Sequence, residues 1–464
     1  MDESGRRAAG RRRVPATVAV AAAAALLVVG PAWAQAPGEA AAPVRALSFR
    51  DALAMALEHN PQLAGARAEQ RRVEGEALRP LQGILPTLQV QEQWLRSDDP
   101  STVLAFKMKQ GTFSPSDFSS PTAITSPGPL ATFSGEVALQ VPLLNADAWL
   151  GRGQGRSGVR AARLGTERAE QQLTFGVVRA YFALPLAAER LAAVREAEAA
   201  LARAVAQAEA LERQRLVAPL DVLQARSRLA AMRAEEANAI ADSVRAAVGL
   251  EQVLGGSLGN VGAADPLPDS VPVPALDEAL AALRSRPDVA AREEALAAAR
   301  LGVHRVNAGW LPRLNGFAQV DLYDRKVLGT GRSYLTTGVV ASWSLFDGMH
   351  QLAEERGARA ARERAEAERD AALLEARTEV RTAQAEHEAA RLARVNAQEA
   401  YDLAREARAI AETRYRNSLA SMTELLAAQA AETAAATGLS AARYAFVVTA
   451  GAYRLAAGIN VMEE

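Results

Sequence analysis

The sequence contains no cysteine, which excludes disulfide bonds, thiolate metal ligands and cysteine nucleophiles. Aromatic residues make up only 5% of its 464 residues, whereas alanine, leucine, arginine and glutamate dominate long stretches, a composition that favours long helices over a thick globular core. After residue 34, no segment holds 18 uninterrupted apolar residues. A mature chain that stays in a membrane would therefore do so through β-strands, and a soluble periplasmic protein is the other possibility.

Charge and histidine content argue against two further classes of protein. The formal net charge is −1, which argues against nucleic acid as a partner. The four histidines are scattered and match no metal-ligand spacing, and the sequence has no P-loop, dinucleotide fingerprint or nucleophile elbow. We therefore expect no catalytic residue, no cofactor and no metal, and interpret the chain as not an enzyme.

The first 34 residues have the pattern of a secretory signal peptide. Five arginines form a positive n-region before an apolar run from Val18 to Val29. Ala32 and Ala34 then place small residues at the two positions that a signal peptidase reads. The apolar run is shorter than the ~20 residues needed to span a bilayer, so a cleaved signal is favoured over a membrane anchor. We predict that the mature chain begins at Gln35 and is exported.

The mature sequence contains two copies of one pattern. Asn60-Pro61 lies 25 residues before Leu85-Pro86, and Arg286-Pro287 lies 25 residues before Leu311-Pro312, so both pairs are offset by 226. Further along the offset falls to 202, because the first copy holds about 24 additional residues between its strand-like segments. The predicted units are a first repeat at 35–264, a proline-rich linker at 265–274 and a second repeat at 275–464.

Each copy has two segments in which apolar and polar residues alternate, as in a strand with one apolar and one polar face. The predicted strands lie at about 87–96, 133–142, 313–323 and 333–345. Such strands are typical of a transmembrane barrel with a watery lumen, although a soluble sandwich also has one solvated face. Four strands cannot close a barrel, and closure alone allows a dimer of eight strands or a trimer of twelve.

The tryptophans and the strand connections complete the membrane interpretation. Indole prefers the membrane interface, where an apolar ring meets wet headgroups. The expected interface aromatics are Trp94, Trp149, Trp310 and Trp343. The connections at 97–132 and 324–332 are predicted to be surface loops at the outer rim of the barrel.

Two stretches of about 70 residues contain few helix breakers. As helices, 147–215 and 348–417 would each span ~105 Å at ~1.5 Å per residue, longer than any ordinary globular domain. Such helices need partners along their length, as in coiled coils. We predict two helical hairpins, 147–255 and 348–457, that reach from the outer membrane deep into the periplasm.

Several short motifs occur in a fixed order along the mature chain. They are Asp51-Ala52-Leu53 with Asn60-Pro61, Ile84-Leu85-Pro86, Asp221-Val222-Leu223, Leu345-Phe346-Asp347-Gly348 and Glu424-Leu425-Leu426. Their order, spacing and duplication resemble the TolC-like outer-membrane efflux protein family over essentially the whole mature chain. The resemblance implies an α+β membrane protein, a homotrimer with a twelve-stranded outer-membrane β-barrel and an α-helical coiled-coil tunnel in the periplasm.

The resemblance also implies a function and its partners. The chain would be the outer-membrane channel, or exit duct, of a tripartite efflux or secretion system. It would be embedded in outer-membrane lipid and gated at its periplasmic end by a periplasmic adaptor (membrane fusion protein) and an inner-membrane pump. The alternative is a periplasmic adaptor or a structural coiled-coil protein, since adaptors also use helical hairpins. The sequence leaves the exported cargo open.

Three gate positions carry over from the family by resemblance. Asp221 matches its aspartate on the first hairpin, Tyr415 matches its tyrosine on the second, and Glu424 matches an acidic position that rings the aperture. The predicted latch is a hydrogen bond that the Tyr415 hydroxyl donates to Asp221, contributing at most ~1.5–3 kcal/mol. Residues at the hairpin tips are expected to contact the adaptor. They are Leu216, Val217, Ser418 and Leu419.

The sequence departs from the family pattern at both hairpins. The family's hairpin glycines fall on Arg215 and Ser418, its arginine in the second hairpin falls on Ala420, and its second acidic ring position falls on Ala427. The gate is therefore expected to be weaker or built differently.

Overall fold

The computed structural model describes residues 45–459, apart from 120, 258, 260 and 418. The predicted signal peptide, 1–34, lies outside the described residues. Within them the chain is mostly helical with few strands. No described helix combines the length and the apolar composition needed to cross a membrane.

The elements fall into two successive series that each lead from short helices through strands to a long helical hairpin. The first series is β1 (Arg45–Leu47), α1 (Phe49–His59), α2 (Pro61–Glu76), β2 (Thr87–Ser97), α3 (Pro100–Gln110), α4 (Pro121–Thr125), β3 (Leu130–Leu144), α5 (Ala146–Arg213) and α6 (Pro219–Leu254). The second is β4 (Val261–Ala263), α7 (Leu276–Ala281), α8 (Pro287–Asn307), β5 (Arg313–Asp324), β6 (Arg332–Ser342), α9 (His350–Arg416) and α10 (Met422–Ala457).

The Asn60-Pro61 motif starts helix α2. The Asn60 side chain accepts a hydrogen bond from the backbone N–H of Leu63 at 3.1 Å, and Pro61 occupies the first turn, where its missing N–H costs nothing. The side-chain amide of Asn60 also donates to the carbonyl of Val253 at 2.8 Å. One residue therefore caps α2 and ties it to the end of α6.

The Arg286-Pro287 motif starts helix α8 by a different contact. The side chain of Arg286 cannot accept a capping hydrogen bond, because a guanidinium has only donors. Its buried guanidinium instead pairs with Asp288 at 2.6 Å and with Glu379 of α9 at 2.7 Å. It also donates to the carbonyl of Ala456 at 2.9 Å. A buried guanidinium with two carboxylates and a carbonyl is satisfied, so this contact joins α8, α9 and α10.

Four strands form one antiparallel sheet in the order β2-β3-β5-β6, so that β2 and β6 are its edges. We call the end that adjoins the long helices the proximal end. The opposite end, where β2 and β5 finish and β3 and β6 begin, is the distal end.

The two faces of this sheet differ in polarity. One row across the sheet consists of Val90, Val137, Val320 and Leu335. The next row, on the other face, consists of Gln91, Glu136, Asp321 and Tyr334. On the apolar face, Val90 and Leu335 are 70% and 69% exposed. The chain therefore leaves apolar surface uncovered where a soluble fold would bury it.

Two details of the predicted strand region are corrected. Strand β6 ends at Ser342 rather than at 345, because the chain then turns toward α9 and Met349 adopts a left-handed conformation with φ of 73°. The predicted loop at 97–132 contains helices α3 and α4. Asp99 caps α3 by accepting from the Thr102 N–H at 2.8 Å, and Gly111 ends it in a left-handed conformation.

The core of the helical part lies around the aromatic residues of α1 and α5. The ring of Phe49 contacts those of Tyr181 and Phe182, with centroids 5.5 and 5.7 Å apart. The Tyr181 hydroxyl lies 2.8 Å from both the Leu47 carbonyl and the Asp265 carboxylate. This cluster holds the parallel ribbon formed by β1 and β4 against α5.

The long helices α5 and α9 contain 68 and 67 residues. Helix α5 packs against α6, α8 and α10, whereas α9 packs against α8 and α10. The two hairpins α5–α6 and α9–α10 are thus joined chiefly through α5 and α10.

Candidate functional site

The ends of the two helical hairpins converge on one small apolar cluster. It contains the end of α5, the start of α6, the end of α9 and the start of α10. Its buried members are Ala204, Val205, Ala208, Val222, Ala225, Tyr415, Met422 and Leu425. Three of these eight residues are alanines, whose small side chains let the helices approach closely. The predicted gate residues therefore lie where the two hairpins pack together.

Tyr415 lies inside this cluster, near the end of α9, and is buried. Its hydroxyl has no hydrogen-bond partner among the described residues. Burial raises the pKa of the Tyr415 hydroxyl above its usual value, and the nearby negative charge of Asp221 raises the pKa further. The structure therefore brings the tyrosine and the aspartate near each other but does not contain the predicted hydrogen bond between them.

Asp221 is instead used by its own helix. It is the third residue of α6, and its carboxylate accepts a hydrogen bond from the backbone N–H of Ala218 at 3.3 Å. A carboxylate in the first turn also interacts favourably with the helix dipole. The carboxylate therefore contacts the start of its own helix rather than the Tyr415 hydroxyl.

Glu424 lies in the first turn of α10 and is exposed. Its backbone N–H donates to the side chain of Ser421, the N-cap residue, at 3.2 Å. Unlike its neighbours Met422 and Leu425, Glu424 is not part of the apolar cluster. Glu424 is thus placed as an accessible acidic group at the start of the second hairpin's returning helix.

Three polar contacts at this end of the molecule were not predicted. Thr423 of α10 donates a long hydrogen bond of 3.5 Å to Gln224 of α6, linking the two hairpins directly. Arg408 of α9 pairs with Glu412 on its own helix and with Glu432 on α10. Burial raises the pKa of the Glu432 carboxyl above its usual value, against the opposing effect of Arg408. Only the Arg408–Glu412 pair, spaced four residues apart, could have been read from the sequence.

The hairpin tips expose several apolar side chains. Leu216 and Leu419 are exposed, whereas Val217 is half-buried. Ser418 lies outside the described residues. Sequence reasoning missed two further exposed leucines on the first turns of α6, Leu220 and Leu223. Leu220 and Leu223 are three residues apart in α6, and this spacing would have indicated a shared helix face.

Arg215 at the first tip has a φ of 61°, in the left-handed region. Residues with a Cβ rarely adopt this conformation, and glycine adopts it readily. This is one of the two positions where the family pattern has glycine. The turn is therefore formed at a conformational cost of roughly 1 kcal/mol that a glycine would not incur.

The four predicted interface tryptophans lie at two levels of the sheet. Trp149, Trp310 and Trp343 lie at the proximal end, where the Trp343 indole donates to the Trp310 carbonyl at 2.9 Å. Trp94 lies toward the distal end, opposite Phe133. All four side chains are exposed. The sheet thus carries indole rings near both ends of its uncovered apolar face.

Among the residues that the structure describes, no group of three or more histidine, aspartate or glutamate side chains could hold a metal ion. Of the four histidines, His387 is buried and its ring lies against Phe446, with centroids 5.1 Å apart. His387 is therefore a packing residue between α9 and α10.

Comparison of the sequence with protein families gives one match. The family model described as outer membrane efflux protein matches residues 52–256 and 280–458. These segments include the sheet, both hairpins and most of the short helices, well over half of the chain. No curated protein matches the sequence.

Comparison of the fold with solved structures finds outer-membrane proteins that match most of this chain. The Campylobacter jejuni CmeC outer membrane channel is 18% identical, with a TM-score of 0.75, over 90% of this chain and 87% of that one. The Vibrio cholerae outer membrane protein VceC is 18% identical, with a TM-score of 0.73, over 89% and 97%. The Neisseria gonorrhoeae MtrE outer membrane channel is 17% identical, with a TM-score of 0.71, over 89% of both chains. At these identities the likeness establishes a shared fold.

Proposed function

The chain belongs to the outer membrane efflux protein family, and we propose that it forms a homotrimeric exit duct whose sheets close into a twelve-stranded barrel. The sheet carries the proposal. Its apolar face is exposed, and its edge strands β2 and β6 have unpaired backbone groups on their outer sides. Exposed edges and an apolar face are both satisfied when copies of the sheet join edge to edge within lipid. The resulting polar face lines the lumen.

The spacing of the tryptophans fits this placement in the outer membrane. Trp94 lies level with Asp324, the last residue of β5. Trp343 comes one residue after the pairing partner of Arg313, the first residue of β5. Arg313 and Asp324 are eleven residues apart on that strand. Eleven residues at ~3.4 Å span roughly 37 Å, which becomes roughly 26–31 Å of height at a strand tilt of about 35–45°. That height matches the thickness of the hydrocarbon layer.

The long helix α9 supports assembly along the periplasmic part. It has a set of exposed apolar residues, Leu352, Leu374, Leu392, Val395, Leu403 and Ile410. At ~100° per residue these fall within an arc of about 80°, opposite the face that α9 buries against α10. This apolar stripe is interrupted by charged residues on the same face, such as Arg381 and Glu399. Large apolar residues that recur on one exposed face of a helix favour a partner there. A second copy of this chain is the occupant we propose, so that the hairpins together form the tunnel.

The two repeats and the export signal complete the proposal. We propose that 35–264 and 275–464, joined by 265–274, derive from one duplicated unit, supported by two series of elements that run in the same order. Residues 1–34 would direct export to the periplasm. A periplasmic adaptor or structural coiled coil is not favoured, because the family model matches the strand-containing segments as well as the hairpins.

The tips of the hairpins are the proposed contact site for a periplasmic adaptor and, through it, an inner-membrane pump. Leu220 and Leu223 are exposed on one face of α6, and Leu216 and Leu419 are exposed in the turns of the first and second hairpin. Exposed apolar patches of this kind mark protein interfaces. The duct itself needs no chemistry, because the energy for transport comes from the pump. Cargo is limited by the diameter of the lumen and by the charge of its wall.

For the gate, we propose that Tyr415 and Asp221 hold the hairpins closed as a pair in the assembled trimer. The buried, unpartnered Tyr415 hydroxyl near the Asp221 charge supports this, since a small movement of α6 would supply the missing acceptor. The double variant Asp221→Ala, Tyr415→Phe should raise single-channel conductance in planar bilayers. Tyr453→Phe removes another buried, unpartnered hydroxyl far from the tips and is the matched control. Equal conductance of the double variant and the control would contradict the latch.

The distribution of lysine gives a direct test of the membrane placement. The chain has only three lysines, Lys107, Lys109 and Lys326, and all three lie at the distal end of the sheet. An amine-reactive polymer too large to enter the periplasm should therefore label the protein on intact cells. A variant with all three changed to arginine keeps the charge and should not be labelled. Labelling of the natural chain only after the cells are broken would contradict the proposed orientation.

A further inference from the structure

The two connections at the distal end of the sheet differ in size and structure. Residues 325–331 join β5 to β6 as a short turn, whereas residues 98–129 join β2 to β3 and contain helices α3 and α4. Helix α3 does not extend away from the sheet but lies against β3 and β5. The longer connection is therefore folded back over the sheet.

Three hydrogen bonds identify the face that α3 covers. The Lys109 side chain donates to the Tyr323 hydroxyl at 2.7 Å, with its ammonium 4.5 Å from the ring centroid. The Tyr334 hydroxyl donates to the Lys109 carbonyl at 3.0 Å. The Gln110 amide donates to the Ala131 carbonyl at 3.4 Å. Tyr323 and Tyr334 both belong to the polar face, so α3 lies on the polar face and leaves the apolar face open.

Burial shows that α3 is packed in place. Val103 of the helix is 2% exposed, whereas Met108 on its outer side is 57% exposed. On the sheet, the polar-face residues Thr132 and Ser134 are buried at the distal end, although Gln140 of the same face is exposed at the proximal end. Polar residues become buried along β3 only where α3 covers them.

Three further contacts fix the ends of this segment. The Asp99 carboxylate accepts from the Ser101 and Thr102 hydroxyls at 2.6 Å, which lowers the pKa of Asp99 to about 2. Lys107 pairs with Asp117 of the following turn at 2.6 Å. Because the helix is capped at its start and pinned beyond its end, it is a defined structural element rather than a loosely placed loop.

From these contacts we propose that α3 is a second, outer constriction of the duct, opposite in position to the periplasmic gate. The proposal rests on the proposed function, in which the polar face of the sheet lines the lumen. Each α3 then projects from the wall into the lumen at its outer mouth, and three copies narrow the mouth together. Removal of α3 therefore widens the exit without changing the barrel wall.

The same geometry gives the constriction a charge. Lys107 is neutralised by Asp117, whereas Lys109 contacts the neutral phenol of Tyr323 and is exposed. Lys109 therefore presents a positive charge at the mouth, and three copies form a ring of cations. Rings of fixed charge select permeating ions by sign. The outer constriction is thus a specificity-determining element that disfavours cations.

The first experiment compares conductance in planar bilayers. Replacing residues 98–129 by the short turn of residues 325–331 should raise single-channel conductance by roughly twofold or more, since it removes the narrowest part of the mouth. Because this deletion could impair folding, a point variant accompanies it. Phe106→Asp places a charge at a buried position of α3 and should release the helix, whereas Met108→Asp at an exposed position should not.

The second experiment measures ion selectivity. Under a KCl gradient, Lys109→Glu should shift the reversal potential toward cation preference. Lys326→Glu, an equal charge change in the short turn, should leave it within error of the natural protein. Channels that form with unaltered conductance and selectivity in all α3 variants would overturn this inference alone. A natural protein that forms no channels would overturn the proposed function together with it.

Discussion

Helices α5 and α9 are almost equal in length but differ in what covers them. Helix α5 buries sixteen of its residues within the chain, and α9 buries six. Helix α5 packs against α6, α8 and α10, whereas α9 exposes six large apolar side chains on one side. The comparison teaches that α5 is covered by its own chain, while α9 exposes apolar surface that the proposed trimer would cover. Stability of the protomer and stability of the assembly therefore depend on different helices.

The largest effect is expected from truncation of a leucine on α5. Leu201 is 2% exposed, so Leu201→Ala should lower the free energy of unfolding of the protomer by about 2–5 kcal/mol through lost burial and a cavity. Leu403 on α9 is 60% exposed, and Leu403→Ala should change it by less than about 0.5 kcal/mol. Urea unfolding of the dilute, dissociated protein, followed by circular dichroism, measures both. Equal losses would break the distinction between the helices.

The next effect concerns the open face of α9. Leu392→Glu places a charge in the middle of the apolar stripe and should weaken assembly at least about tenfold, because the charge would be desolvated at the interface. Ala393→Glu adds the same charge at the adjacent exposed position, ~100° around the helix, and is the control. Sedimentation in detergent measures the fraction assembled. If the two variants dissociate equally, the stripe is not the interface.

A smaller effect on the free energy of unfolding is expected when the pH is lowered, and it arises from the covered side of α9. Burial lowers the pKa of His387, on the covered side of α9, below its usual value, so the folded state holds the neutral ring. The stability from this histidine is present above the unfolded pKa of about 6.5 and is lost as pH falls through the folded value, with a slope of at most about 1.4 kcal/mol per pH unit. His387→Leu should flatten the pH dependence of unfolding below neutrality. An unchanged slope would show that His387 is not the responsible group.

The smallest effect is expected at the tip that follows α5. Arg215→Gly should raise the free energy of unfolding by about 1 kcal/mol or less, because glycine adopts the left-handed conformation without strain. Gln214→Gly, next to it and outside the left-handed region, should lower it. Thermal unfolding of the two variants provides the comparison. A lower melting temperature for Arg215→Gly would contradict the assignment of strain to this turn.

The sequence was sufficient to predict the family and a mostly helical chain with few strands, and both are confirmed. Strong periodicity explains this success: Val90, Val137 and Val320 alternate with polar residues, and long stretches lack helix breakers. The strongest signals were thus those repeated over many residues.

Short or non-local features could not be predicted in the same way. The ribbon of β1 and β4 pairs three residues with three others about 216 positions away, and such pairing leaves no periodic pattern. Helix α3 was missed because its surroundings are rich in proline, although Asp99-Pro100 and Gly111 are ordinary start and stop signals. For the gate, residue identity gave Tyr415 and Asp221, but the carboxylate's bond to Ala218 depends on its place in the first turn of α6.

The open faces of the sheet and of α9 are covered by further copies in the proposed assembly, and the number of chains that cover them can be measured directly. Native mass spectrometry of the mature protein, released from mild detergent, gives that number without further assumptions. We predict a mass of three chains, in which twelve strands close the barrel and every α9 stripe is covered. A stable monomer or dimer as the main species would contradict the claim that the uncovered surfaces are closed by two further copies.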